Sequence, residues 1–538
     1  MNGLSLTDLT WAVPLPVVLP LAAAGLALAL WRNARAQGLI SVVALTLSLV
    51  TSVLLLAAAD DGPLVLDVGS WAAPVGINLV ADRLSTLMLT VSSAVTLCVL
   101  VYSLAQGIAD KNAETPVAIF HPTYLVLSAG VANAFLTGDL FNLFVGFEML
   151  LAASYVLITL GGTGERVRAG TIYVVVSLLS SVLFLLAIAL VYAATGTVNM
   201  AQLSYRLAEI DPGVSLVLQL MLLLAFGIKA AVFPLFAWLP DSYPTAPAPV
   251  TAVFAGLLTK VGVYAMIRTQ TLLFPDGRAD TLLMWVALVT MLVGILGAVA
   301  QNDVKRMISF TLVSHIGYMV FGIALSSDAG LAASVFYVAH HITVQTTLFL
   351  VVGLMERRGG STSLDALGGL ARLAPLLAVM FFLPAMNLAG IPPLSGFLGK
   401  AGLVQAGVAD GSPLAYTLVA GGVVTSLLTL YAIVKAWNKA FWQPAPEEAP
   451  DVRLPRGMVG SAAALVVAGA SLTLVAGPLY DYTTRAAETL RDPQQYVTAV
   501  LPGGRGEGRS ADVTEDARRS GETGVVEEGA DLEDGGEP

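Results

Sequence analysis

Residues 222–234 read L-L-L-A-F-G-I-K-A-A-V-F-P and residues 256–264 read G-L-L-T-K-V-G-V-Y, two apolar stretches each interrupted by one lysine, Lys229 and Lys260. Between them stand Pro240, Pro244, Pro247 and Pro249. An apolar run of about 20 residues spans the ~30 Å hydrocarbon core of a bilayer. A charge at its centre costs at least ~2.5–3.5 kcal/mol. Proline removes a backbone donor and clashes with the preceding turn, so a helix that carries one unwinds there. Irregular backbone at membrane depth survives only where protein buries it or water lines it. A lysine beside a break therefore predicts a membrane span with a polar, hydrated centre. The same signature recurs at residues 390–400, G-I-P-P-L-S-G-F-L-G-K, where Pro392 and Pro393 precede Lys400.

The rest of the 538-residue chain agrees. Hydrophobic residues make up 56% and charged residues only 12%, against about 25% charged in a soluble domain. Mean hydropathy is +0.80. Such a chain cannot close into a water-soluble globule without a very large apolar surface, which excludes soluble enzymes, nucleic-acid binders and secreted disulfide scaffolds. The single cysteine, Cys98, forms no intrachain disulfide or CxxC pair and no iron–sulfur site. No cofactor is expected on this chain, and any electron transfer belongs to another.

Fourteen candidate spans lie near 13–30, 38–59, 80–104, 118–137, 139–160, 168–194, 214–238, 248–271, 280–300, 304–325, 331–355, 374–408, 415–438 and 458–478. The first lacks the basic start of a cleavable signal and is expected to stay in the protein. Residues 62–78 suggest an external hairpin, and 199–210 a short amphipathic connector. Loops after odd-numbered spans carry thirteen Lys or Arg residues. Loops after even-numbered spans carry four: Arg83, Arg206, Arg268 and Arg278. This asymmetry places the odd loops in the cytoplasm and both termini outside. From Glu488 to Pro538 the chain holds 13 acidic and 5 basic residues and reads as a disordered acidic tail.

The expected architecture is all-α and polytopic. Residues 1–117 form the first three spans with the hairpin. Residues 118–271 and 280–441 form two five-span units, 442–487 a cytoplasmic loop and the last span, and 488–538 the tail. Because five is odd, the second unit is inverted relative to the first. The two breaks suit the half-sites of a transporter. Titratable groups recur with them in sequence: Glu148, Lys229 and Lys260, then His315, Lys400 and Lys435, at offsets of 167, 171 and 175.

Glu148, Lys229 and Lys400 lie far from any span end, where a hydrophobic residue would pack at lower cost. Lys435, Lys305 and Glu165 sit near span ends and are expected to reach water. His340 and His341 are neighbours, so a helix points them about a hundred degrees apart and only one is expected at a common centre. Burial penalises a lysine's charged form and a nearby carboxylate favours it. If Glu148 is protonated or drawn away, Lys229 releases its proton towards Lys260, the histidines and Lys400. Such a relay needs no covalent chemistry.

Three stretches, F-G-I-K-A-A-V-F-P-L-F-A-W-L-P-D-S-Y-P-T-A-P-A-P-V-T-A-V-F-A-G-L-L-T-K-V-G-V-Y (226–264), Q-N-D-V-K-R-M-I-S-F-T-L-V-S-H-I-G-Y-M (301–319) and G-I-P-P-L-S-G-F-L-G-K (390–400), closely resemble the antiporter-like family shared by respiratory complex I and multisubunit Mrp-type cation/proton antiporters. The resemblance covers roughly residues 75–440. It implies that Glu148 is the family's fifth-span glutamate and Lys229 its partner on the broken seventh span. It likewise implies that Lys260 is the central lysine of the eighth span and Lys400 the terminal relay lysine of the broken twelfth. His315 and His340 fall among the family's auxiliary polar groups. Chain length and the segments I-Y-V-V-V-S-L-L-S-S and T-G-T-V-N-M-A-Q-L-S favour the Mrp branch. The implied function is proton translocation within a hetero-oligomeric Na+/H+ antiporter of the cell membrane. The alternatives are a redox-driven pump subunit of a complex I-like oxidoreductase or membrane-bound hydrogenase, and a scaffold that keeps a vestigial relay. No all-oxygen cluster in the sequence marks a sodium path; Thr137, Asp139 and Asn142 are polar residues near one span end.

Overall fold

The computed structural model describes residues 6–110, 117–160, 162–445 and 452–502. Among them, thirteen helices are long and apolar enough to cross a membrane. They are α1 (Leu9–Ala29), α2 (Ala34–Ala58), α3 (Arg83–Asp110), α4 (Val117–Leu136), α5 (Leu140–Thr159), α6 (Gly164–Thr195), α8 (Pro212–Ala230), α9 (Ala248–Leu272), α10 (Asp280–Ala300), α11 (Val304–Ala324), α12 (Asp328–Gly359), α15 (Pro413–Trp442) and α16 (Arg456–Leu474). The expected span 374–408 is instead two shorter helices, α13 (Pro375–Ala389) and α14 (Ser395–Asp410), parted at Gly390–Leu394. Counted together they complete fourteen crossings. The connector α7 runs Met200–Glu209. The hairpin pairs β1 (Leu64–Asp67) antiparallel with β2 (Asn78–Ala81), Leu64 opposite Ala81.

Three helices form the centre. The apolar windows of α9 and α12 are wholly buried and that of α11 almost so, whereas those of α15 and α16 are one-third buried. Composition explains the sorting. Helix α12 carries S-V-F-Y-V-A-H-H-I-T-V-Q-T-T, with polar groups around its whole circumference and no stripe fit for lipid. It packs instead against α3, α9, α11, α13, α14, α16 and the later α17 (Ala476–Arg491). Helix α6 exposes Val175, Leu178, Leu179, Val182, Leu185 and Leu186 along one side, the face that lipid accepts.

The two five-span units show their relation in the backbone. Asp139 pairs with Asn199 as an isolated antiparallel bridge, and Asp303 pairs with Ser363 in the same way. From 139 to 303 and from 199 to 363 the separation is 164 residues in both cases. The flanking bonds correspond as well: Leu140 N–H to Val198 O and Met200 N–H to Gly138 O in one unit, Val304 N–H to Thr362 O and Leu364 N–H to Asn302 O in the other. Each unit breaks at its fourth crossing. Helix α8 ends at Ala230, and left-handed Ala231 (φ 60) bonds back to Gly227 O and Ile228 O. Helix α13 ends at Ala389, and left-handed Gly390 (φ 83) bonds back to Met386 O and Asn387 O. A cis X-Pro bond follows in each, Phe233–Pro234 and Pro392–Pro393.

Two sequence expectations need correcting. Arg268 is not a loop residue: it lies inside α9, buried against Asp82, so it does not belong in the loop count. The tail does not begin at 488. Amphipathic α17 continues to Arg491 and α18 spans Gln494–Val500, because Ala486, Leu490, Tyr496 and Val500 are buried against the bundle. Residues 503–538, most of the acidic tail, lie outside the described residues.

Candidate functional site

Helix α5 presents Glu148, and the last turn of α8 presents Lys229, which is buried just before the break. The carboxylate and the ammonium are joined through a third side chain. Ser181, on α6, donates to Glu148 Oε1, and Lys229 Nζ donates to Ser181 Oγ at 3.2 Å. The Lys229 ammonium also lies 5.0 Å from the Phe147 ring centroid, where the ring's negative face attracts it. A small crevice lies beside Lys229, lined by Tyr173, Ser177, Ser180, Trp238 and Tyr243 among others. It lies towards the end of the bundle where Arg166 bonds Thr245 O.

Lys260 is fully buried in α9. Its ammonium donates to Ala255 O, within the π-helical turn Phe254–Leu258. Among the described residues, no hydrogen bond joins Lys260 to Lys229 or to a histidine.

The second unit gathers its groups more tightly. His315 Nδ1 and the Tyr337 hydroxyl are 2.7 Å apart, and the His315 and His341 rings are 5.3 Å apart. Tyr337 lies 5.3 Å from His340, ring to ring, and His340 Nδ1 is 3.0 Å from Ser395 Oγ. Ser395 opens α14, on which Lys400 stands. Lys400 Nζ donates to Leu388 O and Ala389 O, both at 3.1 Å, and lies 4.9 Å from the Tyr318 ring centroid. Those carbonyls are the last of α13, so the ammonium caps the negative end of a half-helix.

The histidine expectation is corrected here. Both His340 and His341 are fully buried at one centre, because α12 has no outward face for either to occupy. The spacing of the titratable groups also differs from the structural register. Lys229 precedes its break and Lys400 follows the other, so offsets of 167–175 do not mark equivalent positions. The Lys400 amine instead reaches back to the half-helix end where Lys229 stands in the first unit.

Sequence reasoning missed Ser181, Tyr337 and Ser395, and set one of His340 and His341 aside. Lys435, half-buried near the end of its span, donates to Val299 O and Gln301 O at the end of α10. Lys305 pairs with Glu356 at 2.6 Å. Asp139 caps α5, accepting from Asn142 N–H at 2.9 Å, and Thr137 accepts from Asn142 Nδ2. Among the described residues, no group of three or more His, Cys, Asp or Glu is placed to hold a metal ion.

Residues 137–429 match the family described as NADH:quinone oxidoreductase/Mrp antiporter, TM. The D-type subunit of the Na+/H+ antiporter of Alkalihalophilus pseudofirmus is 40% identical over 501 residues, covering 91% of this chain and 99% of the relative. Among solved structures, a chain of the Mrp complex from Dietzia sp. superposes with a TM-score of 0.85 at 36% identity, covering 92% of this chain and 100% of that one. A chain of the membrane-bound sulfane sulfur reductase, an archaeal respiratory membrane complex, superposes with a TM-score of 0.83 at 26% identity over 91% of this chain and 100% of that one.

Proposed function

We propose a function for a chain that belongs to the NADH:quinone oxidoreductase/Mrp antiporter membrane-subunit family: it moves protons across the membrane as the D-type subunit of a multisubunit Na+/H+ antiporter. It is a multi-pass membrane protein and an ion-transporter subunit, not an enzyme. The observation that carries the mechanism is the burial of the candidate relay groups. Lys229, Lys260, His315, His340 and Lys400 are all buried, the central three on the helices that touch least lipid.

Glu148 holds Lys229 charged while the pair persists. Protonating Glu148 removes the stabilising charge, and Lys229 then releases a proton towards Lys260. The cluster of His315, Tyr337, His340 and Ser395 leads on to Lys400. Both ring nitrogens of His341 and Nε2 of His315 and His340 are buried without a protein partner among the described residues. In folded proteins such atoms bind ordered water, which suits a water-bridged relay. The two units act as inverted half-channels, and the crevice at Lys229 supplies its access from the Arg166 end. On the positive-inside reading that end is cytoplasmic and the protein sits in the plasma membrane.

The redox-driven alternative makes a different demand. In vesicles carrying the whole complex, Na+-dependent proton movement is read with a pH-sensitive dye, for the parent, Glu148→Ala and Lys229→Ala. The expected result is exchange without any electron donor, reduced at least about a hundredfold in both variants while the complex stays assembled. Movement seen only with a reduced donor and quinone would establish the redox pump. Normal exchange by both variants would remove the relay.

A further inference from the structure

Serine and threonine inside a membrane helix ordinarily return their hydroxyl to a carbonyl of the preceding turn. In this chain Ser41 bonds Gln37 O, Ser48 bonds Ala44 O, Ser52 bonds Ser48 O, Thr195 bonds Val191 O and Thr429 bonds Thr425 O. Ser181 does not. Its hydroxyl points away from its own backbone, donating to Glu148 Oε1 and accepting from Lys229 Nζ. One hydroxyl thus donates to a carboxylate oxygen and accepts from an amine nitrogen, the orientation a proton needs to pass through it.

We propose that Ser181 is the hydroxyl through which a proton passes between Lys229 and Glu148, a role that rests on the relay reading above. In this step one Nζ–H bond of Lys229 breaks as a new Oγ–H bond forms on Ser181. The original Oγ–H bond of Ser181 breaks as an O–H bond forms on Glu148 Oε1. Lysine is left as a neutral amine with its electron pair, the carboxyl is neutral, and the serine is unchanged. No electrons change owner. In the relay the step runs in reverse: once Lys229 has released its proton towards Lys260, the proton on Glu148 passes through Ser181 to the neutral amine and restores the ion pair.

The three groups come from three helices, α5, α6 and α8, and α6 turns much of its surface to lipid. A small displacement of α6 therefore withdraws the hydroxyl and isolates Lys229 from Glu148 in whichever charge state they hold. The serine is both the conductor and the break in the circuit.

The test uses the whole complex in vesicles, without electron donor, comparing the parent with Ser181→Ala, Ser181→Cys, Ser181→Thr and Lys229→Ala. Cysteine keeps the volume and forms only weak hydrogen bonds; threonine keeps the hydroxyl. The expected result is exchange slowed at least about tenfold in the alanine and cysteine variants, with threonine keeping about half the parent rate. Tenfold is set below the ~10²-fold typical of a positioned proton-transfer group, since water takes over part of the role. Parent-like exchange by Ser181→Ala or Ser181→Cys, with Lys229→Ala inactive, would overturn this proposal and leave the relay standing. Equal loss in all three serine variants, with the complex assembled, would overturn it too, since the hydroxyl would then not be the operative group. Normal exchange by Lys229→Ala would remove the relay itself, and this step with it.

Discussion

Replacing Asp82 with asparagine should destabilise the protein by about 3 kcal/mol, the lower end of what removing one partner of a buried ion pair costs. The reasoning is local. Arg268 Nη2 lies 2.7 Å from Asp82 Oδ2, with side-chain exposures of 4% and 7%. Arginine cannot shed its proton to escape burial. Its other support is weak: a long hydrogen bond from Nη2 to the Tyr264 hydroxyl at 3.4 Å, and ring centroids of Tyr264 at 5.5 Å and Tyr496 at 5.1 Å, worth about 1 kcal/mol each. Asparagine is chosen because Asp82 also accepts the Ser85 N–H at 2.8 Å, starting α3, and asparagine caps as well as aspartate. The substitution removes the charge and little else. Arg268→Met removes the stranded cation, so Asp82→Asn should cost far less in its presence, giving a coupling energy of about 2–3 kcal/mol. Denaturant titration in micelles, followed by tryptophan fluorescence, measures all four corners of the cycle. The coupling should barely change with ionic strength, because burial shields the pair from screening. A cost below about 1 kcal/mol for Asp82→Asn, or simple additivity in the double variant, would refute the claim that Arg268 depends on this one carboxylate.

Two further outcomes follow, one from a span end and one from a break. Burial pushes the Asp139 carboxyl up from its ordinary 3.8 to about 6, against the opposing hydrogen bonds of the α5 N-terminus. The folded state thus holds a proton there that the unfolded chain has lost, so stability falls as pH rises from about 4 to about 6; Asp139→Asn, which keeps the cap, should flatten that part of the stability–pH curve. At Gly390, with φ of 83, an added Cβ would stand 2.9 Å from Lys400 Cδ and 3.3 Å from its Nζ. Gly390→Ala should cost about 1–2 kcal/mol in backbone strain and lower exchange by displacing the amine from Leu388 O and Ala389 O, checked by thermal stability and dye-reported transport on the same preparation.

The crossings and both breaks were legible because they are stated in composition and proline placement. So were Glu148, Lys229, Lys260 and Lys400 as candidates, since their cost in an apolar run singles them out. Ser181 was not, since the sequence cannot tell a hydroxyl that folds back on its own helix from one that faces a neighbour. His341 was lost to a rule about helix faces that assumes an outside; α12 has none. The repeat was read from the wrong residues. Charges placed it at 167–175, whereas the backbone bridges place it at 164, between T-G-D-L (137–140) and Q-N-D-V (301–304), which share only the aspartate. Main-chain pairing preserves position without preserving side chains, and a single sequence carries little trace of it.

The two lysines at the breaks are compensated by different kinds of charge. Lys229 is linked through a hydroxyl to a carboxylate, which can be neutralised by one proton. Lys400 rests on Leu388 O and Ala389 O, the terminal carbonyls of α13, equivalent to roughly half a negative charge that no pH change removes. The first unit therefore has a local variable of its own, the charge on Glu148. The second has a fixed bias: among the described residues its lysine bonds carbonyl oxygens and no carboxylate. Two halves alike in backbone are thus unlike as electrostatic elements: one holds its lysine against a counter-charge that a proton can erase, the other against a dipole that none can.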